Sequence, residues 1–377
     1  MTTSIIGTGQ SPYTRHPAAG LTTPAVLAGA VTAALTDAGL SPSDVDGLAV
    51  SSFTLGPDHA IDLAWRMGLK LTWLMQDTSG GASAGGMLQH AVRAIEAGDA
   101  KTIVLVAGDV MDSAAFSHLV AHYNRATEDH LAPLNMGGPN ALFAMLTQRQ
   151  MSDLDLGRRD YGQVAVTQRR WAGMNPDAVY RKGLSMDEYL AAPLVADPLG
   201  RYDCVPPVTG GDAVVLTTDR AGRARARVLS VKASYNADQQ DGDGTSTGLR
   251  DIAPGAWAES GVDPADVRLA SVYDDYPAMV VAQLADLELL PRNDAGRFLS
   301  STLATGKIAV NTSGGQLSAG QAGAAGGMHG LVEASRQLMG RAGERQVDAR
   351  HAVVSGYGMV LYRYGACATS SILEAAS

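Results

Sequence analysis

Apolar residues recur along the chain with two spacings, one typical of buried strands and the other of amphipathic helices. Short runs rich in β-branched residues predict strands over residues 46–51, 102–107 and 212–218. Spacing close to one helical turn predicts helices over residues 22–38 and 158–171. Because strands and helices alternate along most of the chain, the pattern indicates a layered α/β fold.

Two glycine-rich segments stand out from this pattern. Residues 79–86 precede an apolar helix and then the strand 102–107. Residues 311–330 lead in the same order into a helix over 331–339 and a strand over 352–354. Each glycine costs a helix roughly 1 kcal/mol against alanine, so this density predicts that the backbone closely approaches a neighbouring helix or a ligand. The recurrence about 230 residues apart predicts a duplicated fold with its active site where the two copies meet.

The length favours two packed units, since 377 residues exceed one comfortable hydrophobic core. A seam over residues 219–227 follows a β-branched strand and precedes the next one. We therefore predict an N-terminal half of residues 1–225 and a C-terminal half of residues 226–377. The first half is the longer because it contains an inserted loop region over about 115–200, in which turns and prolines interrupt the helices.

Composition and charge exclude several classes of function. An apolar share of 46% with 18% charged residues describes an ordinary packed protein. The net charge of -9, without a cluster of lysine or arginine, argues against a nucleic-acid groove. The two cysteines, Cys204 and Cys367, and an N-terminus that opens directly into a strand indicate a reduced, cytoplasmic protein. No apolar run reaches the roughly 20 residues that a membrane span needs.

Two further patterns are interpreted as structural. Residues 4–10, Ser-Ile-Ile-Gly-Thr-Gly-Gln, resemble a dinucleotide-binding turn but lack its third glycine and its downstream acidic residue. The histidines at positions 118, 122, 130 and 329 lack the cysteine or carboxylate spacing of a metal site, so we expect no metal. His329, on a glycine-rich helix, is interpreted as a structural histidine.

Several short motifs, taken together, resemble the thiolase superfamily over nearly the whole chain, and in particular its sterol-carrier-protein branch. The resemblance implies a duplicated, five-layer αβαβα thiolase fold, a homodimer that pairs through residues 102–107, and an acyl-CoA ligand. The motifs that carry it are Ile-Ile-Gly-Thr-Gly-Gln near the N-terminus, Asn-Pro-Asp-Ala at 175–178, Asp-Cys-Val-Pro-Pro at 203–207, Tyr-Asp-Asp-Tyr at 273–276 and Asn-Thr-Ser-Gly-Gly at 311–315.

The chain departs from this family at its catalytic positions. Where thiolases carry their nucleophilic cysteine, this chain has Ala82, with Ser83 beside it. The histidine of the family's Gly-His-Pro motif is replaced by Gln321. The second catalytic cysteine has given way to Ser-Gly-Tyr-Gly at 355–358. Without a thiolate there is no acyl-enzyme, so thiolase activity is rejected.

The remaining chemistry resembles that of the cysteine-less lipid-transfer-protein aldolases, especially at residues 273–277 and 355–359. The resemblance implies retro-aldol cleavage of a 3-hydroxyacyl-CoA, a steroid side-chain thioester, to a ketone and propionyl-CoA. It also implies a small OB-fold partner and no cofactor beyond the coenzyme A of the substrate. A tyrosine can serve as the base if its pKa is lowered from about 10. The candidate catalytic residues are Tyr273, Tyr276 and Tyr357; the candidate substrate-binding residues are Ala82, Ser83, Asp274, Gln321, Gly358 and Met359.

Other interpretations remain open from the sequence. The tyrosines are also typical core or interface residues, and Asp274 and Asp275 are also consistent with a solvated turn. The chain could be a non-catalytic thiolase-like scaffold that binds acyl-CoA or a partner protein. It could also be a decarboxylating or hydrolytic acyl-CoA enzyme that uses Gln321 and Ser83.

Overall fold

The computed structural model describes residues 3–134, 138–218, 224–237, 242, 244–361 and 364–376. The strands are β1 Thr3–Thr14, β2 Gly47–Ser51, β3 Trp73–Gln76, β4 Thr102–Asp109, β5 Leu194–Ala196, β6 Leu199–Gly200, β7 Thr209–Thr218, β8 Arg225–Tyr235, β9 Leu269–Ser271, β10 Ala309–Val310, β11 His351–Leu361 and β12 Tyr364–Ala376. The helices are α1 Thr23–Ala38, α2 His59–Arg66, α3 Ser83–Ala97, α4 Ser113–Ala121, α5 Pro139–Leu154, α6 Arg158–Gly173, α7 Met186–Leu190, α8 Leu249–Ser260, α9 Pro277–Asp286, α10 Ala295–Phe298, α11 Gly315–Ala319 and α12 Ala325–Leu338. None of these helices is both long enough and apolar enough to cross a bilayer.

The strand order repeats between the two halves of the chain, which confirms the predicted duplication. The N-terminal strands lie in the order β3-β2-β4-β7-β1, and the C-terminal strands follow the same plan as β10-β9-β11-β12-β8. The halves join through an antiparallel pairing of β1 with β8, at Ser4 with Arg227 and Ile5 with Ala226. The predicted boundary at 225/226 stays a prediction, and residues 219–223 of the seam lie outside the described residues.

Three helical layers separate and flank the strands, so the predicted five-layer αβαβα order is confirmed. On the outer face of the N-terminal strands, α1 and α2 pack in one apolar cluster with Val104 of β4. On the other face, Leu105 belongs to a second cluster that joins α3 and α12 to strands of both halves, including Val354 of β11. A third cluster places α8 and α9 against Val353. Neighbouring strand residues thus face opposite layers, as the pleat requires.

The glycines of residues 311–330 pack the central helices together. The predicted helix over 331–339 begins earlier, at Ala325, so Gly326, Gly327 and Gly330 lie inside α12. A Cβ on Gly327 would lie 2.1 Å from the carbonyl oxygen of Gly81, which precedes α3. The predicted helix start was wrong because this buried contact outweighs the low helix propensity of glycine.

Strand β4 is an interior strand, which corrects the expected dimer contact through residues 102–107. It pairs with β2 on one side and with β7 on the other, so its backbone groups are already hydrogen-bonded. In the described sheet the two end strands are β3 and β10, and each is paired on one side only.

We predict that Gly327→Ala lowers the free energy of unfolding by about 1–3 kcal/mol, because the new methyl group overlaps the Gly81 carbonyl. The matched control is Gly255→Ala in α8, where an added Cβ meets nothing within 4 Å. That variant should be unchanged or up to about 1 kcal/mol more stable. Urea unfolding of both variants measures the difference; equal midpoints would contradict the close packing described here.

Candidate active site

A cleft lies where the two glycine segments meet, and it encloses about 1170 Å³ including its solvent-filled mouth. One wall is apolar and comes from the inserted region before and within α5: Phe116, Leu119, Val120, Leu131, Leu142 and Phe143. The polar part of the lining, here called the polar side, consists of Tyr123, Thr127, Asn140, Cys204, Tyr273, Asp275, Tyr276, Gln321 and Tyr357. An apolar cleft with a few converging polar groups is typical of a ligand site.

Backbone contacts between residues 79–82 and residues 357–358 of β11 form the floor of the cleft. A Cβ on Gly358 would lie 2.2 Å from Ser79 O and 2.9 Å from Ala82 N. A Cβ on Gly81 would lie 2.3 Å from Tyr357 O. The sequence-predicted neighbourhood of Ala82 and Tyr357 is thus present, since only glycine backbone separates the two segments.

Three predicted substrate-binding residues lie behind this floor and do not line the cleft. Ala82 and Ser83 are fully buried, and Ser83 Oγ has no hydrogen-bond partner among the described residues. Met359 has a left-handed φ of 53°, and its backbone N–H donates to the Tyr123 hydroxyl. Gly358, in contrast, lines the cleft.

Tyr273 occupies the centre of the polar side. It follows β9 and is held by Gln283 of α9, whose Oε1 accepts from the Tyr273 N–H at 3.2 Å. Its ring packs on Gly81, where an added Cβ would lie 2.2 Å from Cε2. Burial and the nearby Asp275 carboxyl raise the pKa of Tyr273 well above its ordinary value, while a hydrogen bond with Gln321 acts in the opposite direction. Tyr273 is therefore a neutral phenol at physiological pH.

Tyr276 is positioned by the start of α9, where Pro277 occupies the first helical position. Its hydroxyl donates to Asn140 Oδ1 at 2.6 Å, and its ring stacks on Phe143 with centroids 4.3 Å apart. Burial and Asp275 raise its pKa well above the ordinary value. The proton of the Tyr276 hydroxyl is thus already donated to Asn140 within the cleft wall.

Tyr357 lies on β11 and is almost fully buried, with 1% of its surface exposed. Its hydroxyl oxygen accepts a hydrogen bond from the backbone N–H of Gly365, on the paired strand β12. The ring covers Gly365, where any Cβ would overlap it. Packing and this hydrogen bond fix the ring at the edge of the cleft.

Gln321 belongs to a loop that is fixed from two sides. Its backbone N–H donates to Pro206 O, and its carbonyl accepts from Val208 N–H, both at 2.9 Å. Its side chain folds over Gly323, with Nε2 3.1 Å from Gly323 O. Gly323 in turn packs directly on Asp109, whose carboxylate accepts from Ala324 N–H at 2.7 Å. The Gln321 side chain therefore presents a neutral, pre-positioned amide to the cleft.

The adjacent carboxyls of Asp274 and Asp275 have different environments, and the interpretation of a solvated turn is wrong. Asp274 is buried behind the cleft, where it accepts from the N–H groups of Gln316 at 3.0 Å and Leu317 at 3.3 Å. Asp275 lines the cleft, and its Oδ1 is buried without a hydrogen-bond partner among the described residues. Burial raises the pKa of Asp274 to about 7, and burial together with Asp274 raises that of Asp275 to about 8.

Five polar residues of the cleft were not singled out from the sequence as binding or catalytic candidates: Tyr123, Thr127, Asn140, Cys204 and Asp275. The neighbouring Tyr273 and Tyr276 were the only available signal for Asp275. The other four come from the inserted region or just after it, where the pattern gives no functional signal. Burial raises the pKa of Cys204 to about 12, so this thiol is protonated near neutral pH and a poor nucleophile.

His329 belongs to a separate buried network, as expected for a structural histidine. Its Nε2 lies 2.8 Å from Ser313 Oγ, and its Nδ1 lies 3.3 Å from the Tyr13 hydroxyl and 3.6 Å from Asp212. Ser313, His329 and Asp212 have the composition of a hydrolytic triad, but the adjoining cavity is too small for a substrate. Within the described ranges, no three His, Cys, Asp or Glu side chains converge as a metal site.

The fold and the site have counterparts among known proteins. Residues 230–374 match the family described as thiolase C-terminal domain-like. The 17-hydroxy-3-oxo-4-pregnene-20-carboxyl-CoA lyase of Mycobacterium tuberculosis is 30% identical over 93% of this chain and 95% of its own length. The steroid side-chain-cleaving aldolase of Thermomonospora curvata is 29% identical over 93% and 94%.

A solved structure extends this similarity to three dimensions. The Ltp2-ChsH2(DUF35) aldolase superposes with a TM-score of 0.85 at 26% identity, over 99% of this chain and 98% of that one. Similarity at this level covers both halves of the chain. The chain belongs to the thiolase superfamily, in its sterol-carrier-protein-thiolase-like branch, and is an aldolase.

Proposed function

We propose that this aldolase cleaves the Cα–Cβ bond of a 3-hydroxyacyl-CoA and releases a ketone and a short acyl-CoA such as propionyl-CoA. The substrate is a CoA thioester on a steroid side chain, and no covalent acyl-enzyme forms. The observation that carries the proposal is a single cleft lined by an apolar wall, by neutral hydrogen-bond donors and by a protonated thiol. The names of the two curated relatives support the same bond cleavage.

The reaction needs a base for the 3-hydroxyl proton and a group that stabilises the thioester enolate. Tyr273 and Gln321 meet at the centre of the polar side and can both donate to the enolate oxygen. Preorganised donors of this kind commonly supply 10²–10³-fold in rate. Tyr273 does not serve as the base, because its surroundings raise its pKa rather than lower it.

The apolar wall supports a bulky hydrocarbon as the ketone half of the substrate. Its aromatic and aliphatic side chains, including Phe116, Leu142 and Phe143, line the same cleft as Tyr273 and Gln321. A fused-ring ketone would remove this surface from water, at roughly 25 cal/mol per Å² of buried apolar area. The scissile bond would then lie between the wall and Tyr273, with the thioester toward Gln321.

The position of Ser83 argues against the hydrolytic alternative. A serine nucleophile has to contact the thioester carbonyl and a base. Ser83 is fully buried outside the cleft lining, and its Oγ has no hydrogen-bonded base among the described side chains. The hydrolytic mechanism therefore has no nucleophile in the cleft at the position that the sequence suggested.

We further propose that a small OB-fold partner completes the coenzyme A site. Coenzyme A carries several phosphate charges, but no lysine, arginine or histidine occurs among the described residues that line the cleft. The net charge of -9 also provides no overall positive potential that would attract these phosphates. The similar solved structure is that of an aldolase with a DUF35 component, which supports a complex of the same kind.

A homodimer through β3 is the assembly that the surface supports. Leu74 on this end strand is 42% exposed, and the adjoining α2 presents Trp65 at 78% and Ile61 at 59%. An exposed strand edge beside large apolar side chains is typical of an interface.

We predict that Tyr273→Phe lowers kcat for ketone release by about 10²–10³-fold, because one donor to the enolate is lost. The matched control is Tyr276→Phe, whose hydroxyl is used by Asn140 and should matter less than about threefold. Tyr357→Phe should cost about 1–3 kcal/mol of stability, since Gly365 N–H loses its acceptor. Ketone release by the purified complex, with a 3-hydroxyacyl-CoA as substrate, gives kcat. No ketone from the wild type, or equal rates in all variants, would contradict the proposal.

We predict that intact-protein mass spectrometry after mixing with acyl-CoA finds no covalent adduct. Cys204→Ser should keep the rate within about threefold, because a thiol with a pKa of about 12 is protonated. Ser83→Ala should likewise have only a modest effect. A mass increase of one acyl group, absent from the Cys204→Ser or Ser83→Ala variant, would instead identify an acyl-enzyme.

We predict that Leu74→Asp converts the purified dimer to a monomer, because it places a charge on the pairing edge. Leu194→Asp is the control, since Leu194 is 53% exposed on β5 in the separate two-stranded sheet. Light scattering after size exclusion gives both masses. A dimer that survives Leu74→Asp but not Leu194→Asp would place the interface elsewhere.

A further inference from the structure

The proposed cleavage needs one proton to move from the 3-hydroxyl oxygen to Cα. The two atoms are separated by only two covalent bonds in the substrate, so a single group between them can reach both. The group has to line the cleft, have an unused oxygen and ionise close to the working pH. The neutral phenols and the amide of Gln321 do not meet the last condition.

Asp275 meets all three conditions, and it is the only carboxyl among the described residues that line the cleft. Its Oδ1 is buried and has no hydrogen-bond partner there. An unsatisfied buried polar atom of this kind costs about 1–3 kcal/mol, and Asp275, unlike Ser83, lines the cleft, so a substrate hydroxyl can supply the missing partner. Asp274 provides the contrast within the same turn, because both of its oxygens accept backbone N–H groups from α11.

We propose that Asp275 is the catalytic group that carries this proton, an assignment that rests on the proposed retro-aldol function. Its carboxylate takes the proton of the 3-hydroxyl, and the oxygen electrons form the ketone carbonyl. The Cα–Cβ bond breaks, and its electron pair enters the thioester as an enolate. The Asp275 carboxylic acid then gives the proton to Cα, which completes the short acyl-CoA and restores the carboxylate. No oxidant, reductant or second proton is needed.

Several groups face Asp275 and determine when it is ionised. Asp274 raises its pKa by charge repulsion, and burial raises it further, to about 8. The backbone N–H groups of residues 275 and 276 act in the opposite direction. The remaining titratable neighbours are neutral near pH 7 and lie on several elements: Tyr123, Cys204, Tyr273 and Tyr276. A base with this pKa gives a rate that rises with pH through about 8, because only the ionised form accepts the proton.

The test separates proton transfer from bond cleavage. Wild type, Asp275→Asn and Asp274→Asn, each in complex with its partner, are assayed for ketone release between pH 5.5 and 9.5. In parallel, exchange of the Cα hydrogens of propionyl-CoA with D₂O is followed by mass spectrometry. In Asp275→Asn the rates of both reactions should fall by about 10²–10⁴-fold, and the rate of ketone release should no longer rise with pH. Thermal melting should show an unchanged or higher Tm, since a buried carboxyl becomes a neutral amide.

The neighbouring variant distinguishes a catalytic from a structural role. Asp274→Asn removes the repelling charge and lowers the pKa of Asp275. Its rate should therefore still rise with pH, but the rise should occur at lower pH than in the wild type. Asp275→Glu, which retains a carboxyl, should recover part of the Cα exchange. If Asp275→Asn retains both reactions and a rate that rises with pH, the assignment is overturned while the retro-aldol function stands. If the wild type exchanges Cα hydrogens but releases no ketone, the proposed function fails instead.

Discussion

The site depends on direct contact between the backbones of its two halves. Gly81 approaches Gly327 and the carbonyl of Tyr357, and Gly358 approaches Ser79, at distances where a Cβ would overlap backbone atoms. Such contacts leave no room for intervening side chains or for relative sliding of α3, α12 and β11. The cleft is therefore built on a rigid floor, and rigid placement of reacting groups is a large part of what an enzyme contributes to catalysis.

This close packing also determines the chemistry of the side chains above it. Burial disfavours every charged form, so the tyrosines and Cys204 stay protonated, and the Asp275 carboxyl titrates near neutral pH. The same low polarity that makes a phenolate or thiolate unfavourable brings a carboxyl close to the value that suits acid–base catalysis. An aldolase mechanism is therefore compatible with this environment, whereas one based on a thiolate is not.

The sequence predicted the architecture better than it predicted the site. Repeated glycine segments and alternating periodicities are local signals, and they predicted a duplicated, layered α/β fold, whereas the five-layer order came from the resemblance to the thiolase superfamily. The start of α12 at Ala325 was missed because its glycines are satisfied only by contact with distant residues such as Gly81. Tyr123 and Cys204 reach the cleft across long sequence separations, and no local pattern reports such contacts. The apolar run at residues 102–107 indicated a buried strand, as β4 is, but an apolar run does not identify the sheet neighbours of a strand.

The adjacent residues Asp274 and Asp275 show where local reasoning ends. They are chemically identical, and successive residues in an extended turn face opposite directions. Asp274 faces the start of α11, where backbone N–H groups compensate its charge and give it a structural role. Asp275 faces the cleft, where no such donors meet its Oδ1 and its neighbours are phenols and a thiol. The charge of Asp274 then raises the pKa of Asp275, so the structural carboxyl tunes the one in the cleft.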